Sequence, residues 1–156
     1  MKKRVLFICL GNICRSPTAE SIFKHKLKQR QLDTHYHIDS AGTSSNHIGE
    51  ASDQRSIKHA LQRGYVMDHK ARQFNKNDFS DFDLLICMDD QNVKNVLKMA
   101  STDTDKNKVI KMATYVKNFN DTFILDPWAM GPDAFEKVID LLEDACENLI
   151  QTLHPQ

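Results

Sequence analysis

The sequence predicts an α/β fold, a three-layer sandwich in which a four-stranded parallel sheet carries helices on both faces. Short apolar segments alternate with longer segments of helical period, and the clearest apolar segments are continuous rather than alternating in polarity. Continuous apolar strands are typical of parallel sheets that are covered on both sides. The 156 residues contain neither an internal repeat nor a long linker, so we expect a single domain over residues 1–156.

Four segments are predicted to be strands. Residues 5–8 (VLFI) and 84–88 (LLICM) are the continuous apolar runs, and residues 36–40 (YHIDS) and 108–112 (KVIKM) are weaker candidates. Ligands of such sheets bind beyond the carboxyl ends of the strands. We therefore expect the functional site in the loops that follow these segments.

Four further segments have the apolar period of helices. The first spans residues 17–30, and the second should end at Gly64, because glycine readily takes the positive φ that follows a helix. The third follows Asp89 or Asp90, either of which can cap it. The four apolar faces are Ile22, Phe23 and Leu27; Ile57, Ala60 and Leu61; Val93, Val96, Leu97 and Ala100; and Phe135, Val138, Ile139, Leu142, Leu149, Ile150 and Leu153.

The loop after the first strand, residues 9–17 (CLGNICRSP), leads directly into the first predicted helix. Free backbone N–H groups at a helix N-terminus bind anions, and Ser16 is suited to be the N-cap of that helix. Gly11 and Asn12 tolerate the positive φ of a tight cradle. The guanidinium of Arg15 matches two oxygens of a phosphate. The loop therefore predicts an anion site.

Cys9 would lie at the floor of this cradle. Thiols beside helix N-termini and cations ionise more easily, so we expect a nucleophilic thiolate at neutral pH, with the Ser16 hydroxyl donating to it. The loop has neither the GxGxxG nor the GxxxxGK[ST] pattern of nucleotide binding. A single phosphoryl group attacked by sulfur fits this loop better than a dinucleotide or ATP.

The arrangement C-x5-R-S-P, immediately after a first strand, resembles the low-molecular-weight protein tyrosine phosphatases. Residues 5–20 (VLFICLGNICRSPTAE) look like the signature of that family, and the resemblance extends to about residue 153. It implies the same four-stranded parallel fold. It also implies hydrolysis of phosphotyrosine in proteins, and of small aryl phosphates, through a phosphocysteine intermediate formed on Cys9.

The resemblance also assigns the other steps of the reaction. Arg15 and the loop amides would stabilise the charge of the phosphoryl group, so neither a metal nor a cofactor is expected. Asp126 would protonate the leaving oxygen and then activate water, although an Asp-Pro pair taken alone usually forms a turn. Phosphate, or another oxyanion, would be bound by Leu10, Gly11, Asn12, Ile13, Cys14 and Ser16.

The residues around the predicted groove depart from the family in two places. The family often has two tyrosines after Asp-Pro, where this chain has Trp128 and Ala129, and a bulky aromatic residue where this chain has Asn46. Trp128 can still stack on an aryl substrate. We therefore expect a groove that is more open and polar.

Three residues match family positions that support the loop by hydrogen bonds, namely Asn12, Ser40 and His69. For Asp89 two roles stay open, the orientation of Arg15 and the capping of the helix that follows. Without the resemblance, Ser40 would be part of an ordinary turn and His69 a surface histidine.

The four cysteines show neither zinc-site spacing nor the density of a disulfide framework. The family suggests a reversible disulfide between Cys14 and Cys9, and simple packing of Cys14 is the alternative. Cys87 and Cys146 are predicted to lie in the core, and Arg72 on the surface.

Charge and hydropathy exclude some classes of function. The net charge is zero, which argues against a nucleic-acid partner. Residues 1–30 carry eight basic residues and one acidic one (+7), and residues 121–156 carry one basic and eight acidic ones (−7), which is typical of two helices with solvated faces of opposite sign. No apolar run suits a membrane span or a signal peptide, so we expect a cytoplasmic protein without membrane insertion.

Three other functions stay open for this loop. Arsenate reductases of the same fold pass a disulfide to further cysteines on a mobile segment, whereas Cys87 lies in a predicted strand and no cysteine follows closely. Protein arginine phosphatases tend to have Thr at the position of Ile13. The isoleucine of this chain favours phosphotyrosine as the substrate. A phosphate-binding module without turnover would be expected to lack Cys9, Arg15 or Asp126.

Overall fold

The computed structural model describes residues 1–155 and contains one four-stranded sheet. All neighbouring strands are parallel, and the strand that leads into the predicted anion loop is one of the two inner strands. The predicted α/β fold is confirmed, and the strands lie within two residues of their predicted bounds. The strands are β1 (Lys3–Cys9), β2 (Tyr36–Gly42), β3 (Leu84–Cys87) and β4 (Val109–Lys111), and their order across the sheet is β2-β1-β3-β4.

Six helices and two short 3-10 turns, Asp33–His35 and Met112–Tyr115, connect the strands. The four predicted helices are present, and the sequence analysis missed two short ones, residues 78–81 and 103–107. None of the helices within residues 1–155 is both long and apolar enough to cross a membrane. The helices are α1 (Arg15–Gln29), α2 (Gln54–Gln62), α3 (Asp78–Asp81), α4 (Asp90–Leu97), α5 (Asp103–Asn107) and α6 (Pro132–Leu153).

The ends of three helices test the predicted caps. Gly64 has φ +90° just after α2, and the Asp89 side chain accepts from the Asn92 backbone at the start of α4, as expected. The prediction that Ser16 caps α1 is wrong. The helix begins at Arg15, two residues before the predicted first residue, and Cys14 occupies the cap position without any side-chain hydrogen bond.

Helices cover both faces of the sheet. Alternate residues of β1 point in opposite directions, so each face of this strand joins a separate core cluster. On one face lie α1 and α6, and on the other lie α3 and α4. The first cluster includes Val5, Phe7, Ile22, Phe23, Val138, Ile139 and Leu142, and the second includes Leu6, Ile8, Phe74, Phe79, Phe82, Leu85 and Val96.

Two parts of the predicted surface differ in the structure. Leu61 and Leu97, which were expected on apolar helix faces, are exposed, because α2 and α4 are short and only part of each faces the core. The basic residues of segment 1–30 and the acidic residues of segment 121–156 were expected on two separate solvated helix faces, but some of them contact each other. Lys26 of α1 and Arg30, which directly follows this helix, both form ion pairs with Glu147 of α6, so the opposite charges pair where the two helices pack.

Candidate active site

The loop between β1 and α1 forms the floor of a pocket of about 210 Å³ at the carboxyl edge of the sheet. Most of the predicted binding residues line this pocket. Asn12 and Ser16 do not, because both are buried behind the loop, where they support it. Ser44 and His47 are additional lining residues that the sequence analysis did not predict. The pocket is lined by Cys9, Leu10, Gly11, Ile13, Cys14, Arg15, Ser44, Asn46, His47, Asp126 and Trp128.

The sulfur of Cys9 lies at the end of β1, an inner strand of the sheet, and is almost completely buried. The Asn12 backbone N–H donates to Sγ over 3.3 Å, and the Ser16 hydroxyl lies 3.0 Å from it. Helix α1 starts directly behind this loop, and no side chain satisfies its first N–H groups. These donors and the positive end of the helix dipole favour negative charge at this point.

Asn12 holds the loop in its unusual conformation. Its φ is +56°, in the left-handed region where asparagine is one of the few tolerated residues, and it is buried. Its side-chain amide donates to Ser16 Oγ over 2.8 Å and to Ser40 Oγ over 3.0 Å. Its carbonyl oxygen lies 2.7 Å from His69 Nε2 and accepts from the Arg72 backbone N–H over 3.0 Å. All four hydrogen-bonding positions of this side chain are therefore used.

A second layer of buried polar groups supports Ser40 and His69. Ser40 Oγ donates to Glu20 Oε1 over 2.7 Å, and His69 Nδ1 lies 3.2 Å from the same oxygen. His69 Nδ1 is also 3.6 Å from Asp39 Oδ1. The sequence analysis missed Glu20 and Asp39. No sequence signal marks Glu20, because an acidic residue on a helix is normally solvated.

Arg72, which was predicted to lie on the surface, has a side chain that is 31% exposed, but it also makes contacts that the sequence analysis did not predict. Its backbone supports Asn12, and its guanidinium lies between Asp39, at 2.9 Å, and the buried Asp78, at 3.0 Å. Because a lone arginine in a polar segment gives no sign of its partners, only the fold reveals this role.

Glu20, Asp39 and His69 are the one group within residues 1–155 whose ligand-type atoms could hold a metal ion, since three such atoms lie within 4.8 Å of one another. Glu20 and His69 are already engaged in the hydrogen bonds that support the loop, and Asp39 is paired with Arg72. The cluster is therefore explained as part of the support of the loop.

Arg15 is buried and its orientation is fixed from three sides. Its Nη1 donates to Asp89 Oδ2 over 2.6 Å and to the Ile124 carbonyl over 2.9 Å, and its Nη2 lies 3.7 Å from Asp126 Oδ2. Burial acts to lower the pKa of Arg15, but the neighbouring Cys9 and Asp89 raise it overall, so the guanidinium stays charged. Asp89 therefore both caps α4 and orients Arg15, and the two interpretations of this residue are not exclusive.

Asp126 reaches the pocket from the loop before α6. Its side chain is half-exposed, and its Oδ1 accepts from the Trp128 backbone N–H over 3.1 Å, as in an Asx turn. The Trp128 side chain is 56% exposed at the rim of the pocket. Asp126 thus has the turn geometry expected of an Asp-Pro pair and also faces the phosphate loop.

The four cysteines are free and buried. Burial raises the pKa of the Cys14 thiol to about 12, which keeps it protonated at neutral pH. Burial also raises the pKa of Cys87 and of Cys146, and both lie in the core as predicted. Among the cysteines, only Cys9 and Cys14 line the pocket.

Comparisons with known proteins decide the family. The family model described as low molecular weight phosphotyrosine protein phosphatase matches residues 4–156. The chain belongs to this family. A putative low molecular weight protein-tyrosine-phosphatase of Synechocystis is 44% identical over 150 residues, which is 96% of each chain. The family predicted from the sequence is thus confirmed.

Solved structures of relatives have the same fold as this phosphatase family member. A protein tyrosine phosphatase from Entamoeba histolytica superposes with a TM-score of 0.95 at 41% identity, over 97% of both chains. An arginine phosphatase from Drosophila superposes with a TM-score of 0.91 at 32% identity, over 100% of this chain and 99% of that one. The fold is therefore shared by enzymes with different named substrates.

Proposed function

We propose that this protein is a cysteine-dependent phosphatase that hydrolyses phosphotyrosine in proteins, and small aryl phosphates, through a phosphocysteine intermediate. The observation that carries the proposal is the convergence of three groups on one pocket. The sulfur of Cys9, the guanidinium of Arg15 and the carboxylate of Asp126 all line it. Membership of the phosphotyrosine phosphatase family supports the same reaction.

In the first step the Cys9 thiolate attacks phosphorus. The S–P bond forms as the bond between phosphorus and the tyrosine oxygen breaks, and Asp126 gives its proton to that oxygen. The leaving phenol departs, and the phosphoryl group stays on sulfur. Arg15 and the backbone N–H groups of the loop bind the three equatorial oxygens and stabilise their charge.

In the second step water attacks the phosphocysteine. Asp126, now a carboxylate, takes a proton from the water, and the S–P bond breaks to release inorganic phosphate. The sulfur leaves as a thiolate, which the Ser16 hydroxyl at 3.0 Å stabilises by a hydrogen bond. Inorganic phosphate and similar oxyanions are expected to compete for the loop.

The substrate class follows from the walls of the pocket. Ile13 contributes an apolar wall, and Trp128 provides an aromatic surface at the rim. Both suit the ring of a phosphotyrosine. They favour it over phosphoarginine, whose guanidinium would gain from a polar wall. Phosphotyrosine-containing proteins are therefore the proposed partners.

The proposal is tested by turnover of para-nitrophenyl phosphate and of phosphotyrosine, phosphoarginine and phosphoserine peptides. We expect the phosphotyrosine peptide to be the best peptide substrate, with activity unaffected by EDTA and blocked by vanadate. Cys9→Ser should bind phosphate without turnover. Preferential turnover of the phosphoarginine peptide, or full activity of Cys9→Ser, would contradict the proposal.

The same assay tests the acid. Asp126→Asn should slow phenyl phosphate cleavage by about 10²–10⁴-fold, the usual contribution of a general acid. A loss smaller than about threefold would assign the proton transfer to another group.

A further inference from the structure

We infer that Arg55 is a positioning residue that holds the acid loop, residues 125–131, against the phosphate loop, through one hydrogen bond to the Trp128 carbonyl. The inference rests on the proposed role of Asp126 as the general acid. Arg55 does not line the pocket, so its effect on the reaction would be transmitted through the backbone of the acid loop.

The guanidinium of Arg55 is itself fixed in place. Its Nε and Nη2 bind both carboxylate oxygens of Asp53, over 3.1 and 2.9 Å, and its plane lies over the ring of Phe135 at 4.6 Å. The Arg55 guanidinium holds the pKa of Asp53 below its usual range, so the pair stays charged at neutral pH. From this position Nη2 donates to the Trp128 carbonyl over 3.0 Å. The Arg55 side chain is half-exposed, but its planar fork is held by the ion pair to Asp53 and by the face of Phe135, and both limit its movement.

The other end of the connection is the phosphate loop. The Asp53 backbone N–H donates to the Ile13 carbonyl over 2.8 Å, and the Asp53 side chain caps α2 at the Arg55 backbone. Ile13 lies between Cys9 and Arg15 in the loop. The start of α2 therefore binds both catalytic segments, one through Ile13 and the other through Trp128.

The acid loop has few other attachments. Within it, Asp126 accepts from Trp128, and the Met130 N–H donates to the Pro127 carbonyl, but both contacts are internal. Apart from the Ala134 N–H, which donates to the Gly131 carbonyl at the start of α6, the Arg55 donation is the one hydrogen bond among the described residues that joins residues 125–131 to another part of the chain. The 3.7 Å approach of Arg15 to Asp126 is a looser ion pair, and Trp128 and Met130 are exposed. Removing Arg55 should therefore let the carboxylate of Asp126 move.

Displacement of a general acid has a specific kinetic signature. A poor leaving group, such as phenolate, needs the proton in the transition state, whereas dinitrophenolate leaves without it. A displacement on the order of 1 Å can cost up to about 100-fold in rate. We expect Arg55→Met to lower kcat/KM for phenyl phosphate by about tenfold and for dinitrophenyl phosphate by less than about twofold.

The choice of variants separates positioning from simple destabilisation. Methionine keeps the packing on Phe135 and removes the hydrogen bond, and Arg55→Lys should recover part of the activity because it can still donate to Trp128. Arg63→Met is the matched control. Arg63 lies just after the same helix and pairs with Glu136, Asp140 and Glu143 of α6, and it has no contact with the acid loop.

The experiment measures kcat/KM for both substrates in all variants, with thermal unfolding recorded alongside. The inference holds if Arg55→Met loses kcat/KM selectively on phenyl phosphate and Arg55→Lys shows a smaller selective loss. The control Arg63→Met should show no difference between the two substrates. Equal losses on both substrates in Arg55→Met, or no loss, would overturn the inference. Asp126→Asn serves as the reference. If this variant shows no selective loss of kcat/KM on phenyl phosphate, the proposed function fails. If Asp126→Asn shows the selective loss and Arg55→Met does not, only the role of Arg55 is refuted.

Discussion

The side-chain amide of Asn12 lies 2.8 Å from Ser16 Oγ, and this contact sets the direction of the hydrogen bond between Ser16 and Cys9. The Asn12 oxygen accepts from the Arg72 backbone N–H, so the group that faces Ser16 is the NH2 donor. Ser16 Oγ then accepts from Asn12, and its own hydrogen has two acceptors within reach, the Cys9 sulfur at 3.0 Å and the more distant Ala41 carbonyl at 3.5 Å. The buried asparagine thus leaves the Ser16 hydrogen available to the nearer acceptor, the nucleophilic sulfur.

Removing this donor should slow the second step most. In Ser16→Ala the sulfur must leave the phosphocysteine without its hydrogen bond, and a hydrogen bond to a charged group contributes about 1.5–3 kcal/mol, or roughly 10- to 100-fold in rate. We expect a rapid burst of one nitrophenol per enzyme followed by slow turnover, measured by stopped flow with para-nitrophenyl phosphate. Ser21→Ala, which removes a hydroxyl bonded only to the Thr18 carbonyl, is the control and should turn over normally. Normal turnover without a burst in Ser16→Ala would contradict the assignment.

The buried carboxylate of Glu20 should be important for stability and for phosphate binding. It accepts from Ser40 and Lys24 and lies beside His69, so Glu20→Gln would leave some of these buried groups poorly paired, at a cost of about 1–3 kcal/mol. We expect a lower unfolding midpoint in urea and weaker inhibition by vanadate. Glu50→Gln removes an exposed carboxylate beside the pocket and should change stability by less than about 1 kcal/mol. Equal stability of the two variants would show that the buried network does not support the loop.

Alkylation should distinguish the two cysteines of the pocket. The reactive species is the thiolate, and a Cys14 pKa of about 12 leaves almost none of it at pH 7. We expect iodoacetate to label Cys9 alone near neutral pH, as measured by peptide mapping, and Cys14→Ser to react with the same stoichiometry. Label on Cys14 at pH 7 would contradict the raised pKa.

Recovery from oxidation should depend on pH. Peroxide converts the Cys9 thiolate to a sulfenic acid, and attack by Cys14 sulfur on it forms a disulfide and releases water. Because the attacking thiolate of Cys14 forms only as the pH rises toward its pKa, the fraction of activity that dithiothreitol restores should increase between about pH 6 and pH 9. Cys14→Ser should recover much less than the wild-type protein near pH 9, and the difference should shrink toward pH 6. If oxidised Cys14→Ser recovers as much activity as the oxidised wild-type protein, Cys14 does not protect Cys9.

Trp128 should affect the binding of rings but not of phosphate. Aromatic stacking is worth about 0.5–1.5 kcal/mol, so Trp128→Ala should raise the KM for aryl phosphates by about two- to tenfold. The inhibition constant of inorganic phosphate should stay the same, because Trp128 is at the rim of the pocket and the loop binds the oxyanion. A parallel weakening of phosphate inhibition would mean that the substitution disturbs the loop itself.

The sequence was sufficient to predict the fold and the phosphate loop, because both depend on local patterns. Strands such as β1 are recognised by continuous apolar residues, and the cysteine loop has fixed spacing in front of a helix. The same local reasoning misplaced Ser16. Serine is a good N-cap, but here its hydroxyl is committed to Cys9 and Asn12, so the helix starts without it.

The support of the loop could not be predicted, because it consists of contacts between distant segments. Glu20 and Arg72 are ordinary charged residues in the sequence, and only the folded chain brings them to Ser40 and Asn12. The short helices α3 and α5 were missed for a related reason. Neither has enough residues to show an apolar period.

The walls of the pocket have a consequence for inhibitor design. Trp128 offers an aromatic surface at the rim, whereas Ser44, Asn46 and His47 line the pocket with polar groups. A selective compound would therefore combine a phosphate mimic with a ring on the tryptophan side and a hydrogen-bonding substituent toward the serine, asparagine and histidine. Symmetric hydrophobic scaffolds, made for enzymes with aromatic residues on both sides, would lose affinity here.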